Sequence, residues 1–146
     1  MNVRLLLPSV ALVALLGVAR PAQASVNLGL GADWIEGDTN DFNLTLGVDS
    51  FLARHFSIGG RAGVAFFDDL HHVGIPIDFQ AKLHLQRIYF AGLVGPWILF
   101  HTGDDLRFHA AFGFGLEAGA IALGLEVGSL SDAVMVGGRL AFRLCR

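Results

Sequence analysis

Large apolar residues alternate with polar residues or glycine along most of this chain. Phe42-Asn43-Leu44-Thr45-Leu46-Gly47-Val48-Asp49 shows the pattern, and so does the stretch from Leu106 to Glu117. A period of two is that of a β-strand whose two faces meet different surroundings. Carried along the sequence, it predicts eight strands: Val26 to Glu36, Phe42 to Leu52, Phe56 to Phe66, Ile75 to Leu85, Ile88 to Leu99, Leu106 to Glu117, Ile121 to Gly128 and Ala133 to Leu144. The fifth is apolar on both faces. Proline cannot donate to a ladder, so Pro96 predicts a bulge or an early strand end there.

The expected connections alternate between two kinds. One set is short: Ala53 to His55, Gln86 with Arg87, and Ala118 to Ala120. The other is mostly longer: Gly37 to Asp41, Phe67 to Gly74, Phe100 to Asp105 and Ser129 to Asp132. The longer set and its borders carry Glu36, Asp38, Asp41, Asp68, Asp69, Asp104, Asp105 and Asp132, with no Lys or Arg. The opposite end carries Arg54, Arg87 and Arg146. Short turns at one end and longer loops at the other are the signature of an up-and-down membrane barrel.

The polar face decides which side is the interior. It carries the acids Asp33, Asp49, Asp78, Glu117 and Glu126, and the bases Arg61, Lys82, Arg107, Arg139 and Arg143. It also holds eleven of the nineteen glycines. Glycine weakens a solvent-facing strand, but it makes sense where space is short. The lumen of an eight-stranded barrel is just wide enough for side chains. Buried charges are tolerable when each has a partner, and the balanced count provides for that. The apolar face, with Trp34, Phe42, Phe56, Phe66, Phe79 and Phe108, is then the lipid face. The predicted fold is an all-β, eight-stranded antiparallel transmembrane barrel over residues 25–146.

Composition fits this picture. Hydrophobic residues make up 53% of the chain, yet no stretch after the leader is long and apolar enough for a spanning helix. Met1 to Ala24 reads as a signal peptide, with Arg4 at its start, an apolar run from Leu5 to Ala19, and Ala22-Gln23-Ala24 as a small-x-small cleavage pattern. Cys145 is the single cysteine, so no intrachain disulfide forms. The acidic balance argues against nucleic acid.

The leader, the eight alternating strands and the antiphase turns resemble the small eight-stranded outer-membrane barrels of Gram-negative bacteria, the OmpA/OmpX-like architecture. The likeness runs from Val26 to Leu144. Members usually end in an aromatic residue; here the alternation Leu140, Phe142, Leu144 is followed by Cys145 and Arg146. The resemblance implies a bacterial outer-membrane location, contact with lipids and lipopolysaccharide, insertion by the barrel-assembly machinery, and a monomer without a cofactor. It also implies a structural or interaction role. A lipid A-modifying enzyme, a narrow pore, and a soluble exported barrel for an apolar ligand are the alternatives.

Two constellations are candidates for chemistry. His55-Phe56-Ser57 resembles the His-x-Ser-Asn pattern of lipid A deacylases, in which the histidine is a base for the serine; Ile58 stands where that family has Asn. Asp68, Asp69, His71 and His72, with His101, Asp104 and Asp105, form a weak candidate for a divalent cation site. His84 and His109 are expected within the lumenal network. The Gly-x-Gly pairs lie inside strands and lack the helix a nucleotide site needs.

Overall fold

A computed structural model describes residues 24–37, 39–68, 72–100 and 105–145. They form eight strands: β1 (Ala24–Ile35), β2 (Thr39–Ala53), β3 (Phe56–Phe67), β4 (His72–Leu85), β5 (Ile88–Phe100), β6 (Asp105–Ala118), β7 (Ile121–Leu130) and β8 (Ala133–Cys145). Each pairs antiparallel with the next, and β8 pairs back onto β1 to close the barrel. The eight expected segments are the eight strands, most of them running a residue or more further than the alternation suggested. The leader up to Gln23 lies outside the described residues; Ala24, expected at its end, opens β1.

At one end, here the turn end, the hairpins contain only Arg54 with His55, Gln86 with Arg87, and Gly119 with Ala120. Two-residue turns that follow the strand twist need a positive φ at their first central residue. Gly119 adopts φ 64° and Gln86 φ 59°. At the opposite, loop end, strands extend into the expected loops, leaving residues 36–38, 68–71, 101–104 and 131–132 between them. Asp41, expected in a loop, therefore stands inside β2 and is buried. It keeps the parity of Asn43 and Thr45, and that parity points into the lumen.

No bulge or strand end marks Pro96. β5 runs through it to Phe100, paired with β6 at Gly95↔His109, Pro96↔Phe108 and Trp97↔Arg107. The β4 ladder instead skips from Pro76↔Trp97 to Phe79↔Val94 without a change of register. A residue in an antiparallel strand directs its N–H to one neighbour only. Proline thus interrupts one ladder and leaves the other whole. Pro76 does the same on β3, where pairing skips from Ala62↔Ile77 to Ala65↔Gly74.

The outer surface is apolar. Trp34, Phe42, Phe66, Phe79 and Phe108 are all at least 45% exposed, as are Leu46, Leu116, Leu123 and Leu125. Trp34, Phe42, Phe66, Phe100 and Phe108 gather at the loop-end rim, as an interfacial aromatic girdle does. The inner face packs residues of the same strands into the lumen. Glycine makes this possible: a Cβ at Gly137 would collide with the Asp33 carboxylate, and one at Gly124 with the Tyr89 hydroxyl.

Candidate functional site

The lumen is crossed by one connected belt of charged and polar side chains. From β3, Arg61 donates through Nε to Asp78 Oδ2 (2.9 Å) and through Nη1 and Nη2 to the Glu126 carboxylate (2.7 and 3.0 Å). Glu126 Oε2 also lies 2.9 Å from Arg139 Nε, in an ion pair without hydrogen-bond geometry. Arg139 in turn grips Asp33 with both Nη atoms (2.6 and 2.9 Å), and Asn43 donates to the same carboxylate (2.7 Å). On the other side Asp78 Oδ1 accepts from His109 Nδ1 (2.7 Å) and Trp97 Nε1 (3.2 Å). Each of the eight strands contributes one member: Asp33, Asn43, Arg61, Asp78, Trp97, His109, Glu126 and Arg139. Bidentate arginine–carboxylate pairs fix geometry as well as charge.

Above the belt, toward the loop end, the lumen is apolar. Ile35, Ala65, Phe67, Trp97, Leu130 and Met135 form a buried cluster across five strands. Trp97 is shared: its ring fills the plug and its N–H anchors the belt. A buried indole takes such a partner when it can. The plug was not foreseen. β5 is apolar on both faces, so its inward side gave no contrast, and Met135 reads as one apolar residue among polar neighbours on β8.

Below the belt the lumen opens toward the turn end. Asp49 accepts from Asn27 (2.9 Å), Gln80 (2.7 Å) and Lys82 (3.0 Å). A cavity of about 70 Å³ lies among Arg61, Lys82, Tyr89, Glu117, Glu126 and Arg139, and a second of about 30 Å³ lies beside His84. That is room for a few waters among groups that bind them. Near the mouth, Ser57 Oγ lies 3.0 Å from His84 Nε2, and His84 Nδ1 lies 3.1 Å from Glu117 Oε2. Arg143 stands 3.9 Å from the same glutamate.

The ten charges placed on the polar face by the alternation therefore divide into groups. Asp33, Arg61, Asp78, Glu126 and Arg139 form the belt; Asp49 and Lys82 pair below it; Glu117 and Arg143 meet at the mouth. Arg107 is half-buried on the lumenal side of β6 and is engaged there. His84 and His109 both take part. Asp41 is an added lumenal acid, cross-strand from Asp33. His55 does not meet Ser57: it is exposed, and its Nδ1 lies 3.0 Å from the backbone carbonyl of His84. The histidine that meets Ser57 comes from β4 instead. Of the cation-site candidates, Asp69, His71, His101 and Asp104 lie outside the described residues, as does the side chain of Asp105. Asp68 is exposed and His72 half-buried, and no group of metal-ligating side chains gathers among the described residues.

An apolar exterior, a charged interior and closure by consecutive antiparallel pairing define a transmembrane β-barrel. Solved structures share the fold. A de novo designed transmembrane β-barrel matches with a TM-score of 0.67 at 11% identity, over 82% of this chain and 95% of its own. The outer membrane enzyme PagL matches with a TM-score of 0.65 at 14% identity, over 82% of this chain and 99% of its own. The N-terminal β-barrel domain of Pseudomonas aeruginosa OprF matches with a TM-score of 0.56 at 14% identity, over 84% and 99%. No family model matches the chain, and no curated protein matches it in sequence.

Proposed function

We propose that the protein is a monomeric integral protein of a Gram-negative outer membrane, exported by a leader cleaved after Ala24, with a structural or interaction role in the envelope. The observation that carries a closed-lumen reading is the stack of plug on belt. An ion crossing the barrel would have to part paired charges and then cross an apolar layer. Its contacts in this reading are outer-membrane lipid around the apolar belt, lipopolysaccharide at the loop end, and the barrel-assembly machinery during insertion. The location is supported by the apolar girdle and by the fold shared with PagL, itself an outer membrane enzyme. The fold likeness assigns no residue of this chain to that enzyme's chemistry.

Two measurements test the reading together. In outer-membrane fractions, unheated and boiled samples should migrate differently in SDS, as a detergent-resistant closed barrel does. In planar bilayers the purified protein should carry no steady current. A steady current would replace the closed lumen with a narrow pore. Recovery from the soluble periplasm would favour a barrel that binds an apolar ligand.

A further inference from the structure

Ser57, His84 and Glu117 come from three strands, β3, β4 and β6, and meet in the order of a nucleophile, its base and the group that orients the base. The serine hydroxyl lies 3.0 Å from Nε2 of the imidazole, and the opposite ring nitrogen lies 3.1 Å from the carboxylate. With Glu117 ionised, Nδ1 carries the proton it donates. A neutral imidazole then presents Nε2 as an acceptor to the Ser57 O–H. This is the arrangement that activates serine in hydrolases of unrelated folds, recognised by geometry and not by position in the chain. The triad is not part of the belt, which lies closer to the loop end.

We propose that Ser57 is an activated nucleophile that transfers short acyl groups from esters entering through the turn-end mouth. In the first step the Oγ–acyl carbon bond forms as the Oγ proton passes to His84 Nε2. The ester C–O bond breaks and the departing alkoxide takes that proton. Water then attacks the acyl-serine with His84 again as base, releasing the carboxylic acid and restoring the hydroxyl. Two features restrict the substrate to small acyl groups. The chamber beside His84 holds only about 30 Å³ and Ser57 does not line it, so an acyl group reaches the hydroxyl only as side chains move. Ser57 itself is fully buried, and its cross-strand partner is Phe51, whose ring lies 5.2 Å from that of His84. Phe51 thus stands at the approach and has to swing aside for an ester to enter. Lys82, the cross-strand partner on the other side, brings a cation into the same layer as the developing oxyanion.

The test uses the folded full-length barrel in detergent, with heat-dependent SDS mobility as the check of folding. Methanesulfonyl fluoride is a small reagent and reports the nucleophile directly, since attack forms the S–Oγ bond and expels fluoride. Peptide mass spectrometry should place the adduct on Ser57, and F51A should accelerate it. H84Q should slow it by about 100-fold, the scale of a lost general base. Hydrolysis of 4-nitrophenyl acetate should rise in F51A, fall in H84Q and vanish in S57A. E117Q should slow the labelling while heat-dependent mobility stays unchanged, which a merely structural glutamate would not do. No adduct on Ser57 in either the folded wild type or folded F51A would overturn the proposal. So would labelling of Ser57 that is indifferent to H84Q.

Discussion

The two halves of the lumen are built from the same inward-facing positions of the same strands, yet one is dry and the other wet. Toward the loop end, Ile35, Phe67, Trp97, Leu130 and Met135 fill the cross-section with apolar atoms. Toward the turn end, inward positions hold Ser25, Ser57, His84, Glu117 and Arg143, with a cavity beside them. The backbone does not dictate this difference, because register and closure are continuous from end to end. What differs is which residues fill the interior layers. The belt sits at the boundary and belongs to both halves: Trp97 and His109 join it from the plug side, Glu126 and Arg61 from the cavity side.

The comparison is most exposed to change at the boundary. Arg61→Leu removes the partner of both Asp78 and Glu126, leaving buried carboxylates uncompensated. It should cost about 3–5 kcal/mol in a urea folding titration in detergent or lipid. Trp97→Ala should cost a similar or slightly smaller amount, about 3–4 kcal/mol, by opening a cavity in the plug and removing one donor from Asp78. If Arg61→Leu were silent, the belt would be ornament and the plug alone would hold the barrel shut. A charge on the outside, Leu125→Arg, should cost about 2–4 kcal/mol if the site lies at mid-membrane, and less toward either rim. In the wet half the effects shrink. Lys82→Met should cost about 1–2 kcal/mol, because Asp49 keeps Asn27 and Gln80 as donors and borders a cavity. The smallest effect compares the two ends directly. Gln86 and Ser131 both sit at positive φ without being glycine. Glycine at either position should stabilise by up to about 1 kcal/mol, equally at both ends, since the gain is backbone strain and not packing.

Alternation made most of the architecture legible. The eight strands, the short turns at one end and the inward parity of the charges all follow from a period of two read against the scarcity of space in a small barrel. Three features were hidden for physical reasons. Pro96 looked like a strand breaker because sequence does not reveal which neighbour its missing N–H would have faced. Asp41 looked like a turn residue because Asp serves turns and lumens alike. The Ser57–His84 contact was masked by a nearer histidine: His55 is two residues from Ser57, a spacing that would share a face within a strand, but it lies in the turn before β3 and the turn carries it outward. His84 reaches Ser57 from the adjacent strand, at a separation that no local motif encodes.

The belt also has a bearing on how the barrel is made. Of its ion pairs, Arg61–Asp78 and Glu126–Arg139 join strands within one hairpin, and the others reach further. Arg61 and Glu126 are 65 residues apart, and Arg139 and Asp33 are 106. A sheet that has grown to seven strands must still carry Asp33 without Arg139 in a low-dielectric setting, where a lone charge is costly. The last strand therefore does more than pair an edge: its arrival neutralises the interior, so completion is rewarded in a single step and half-built sheets are held back from the membrane's core.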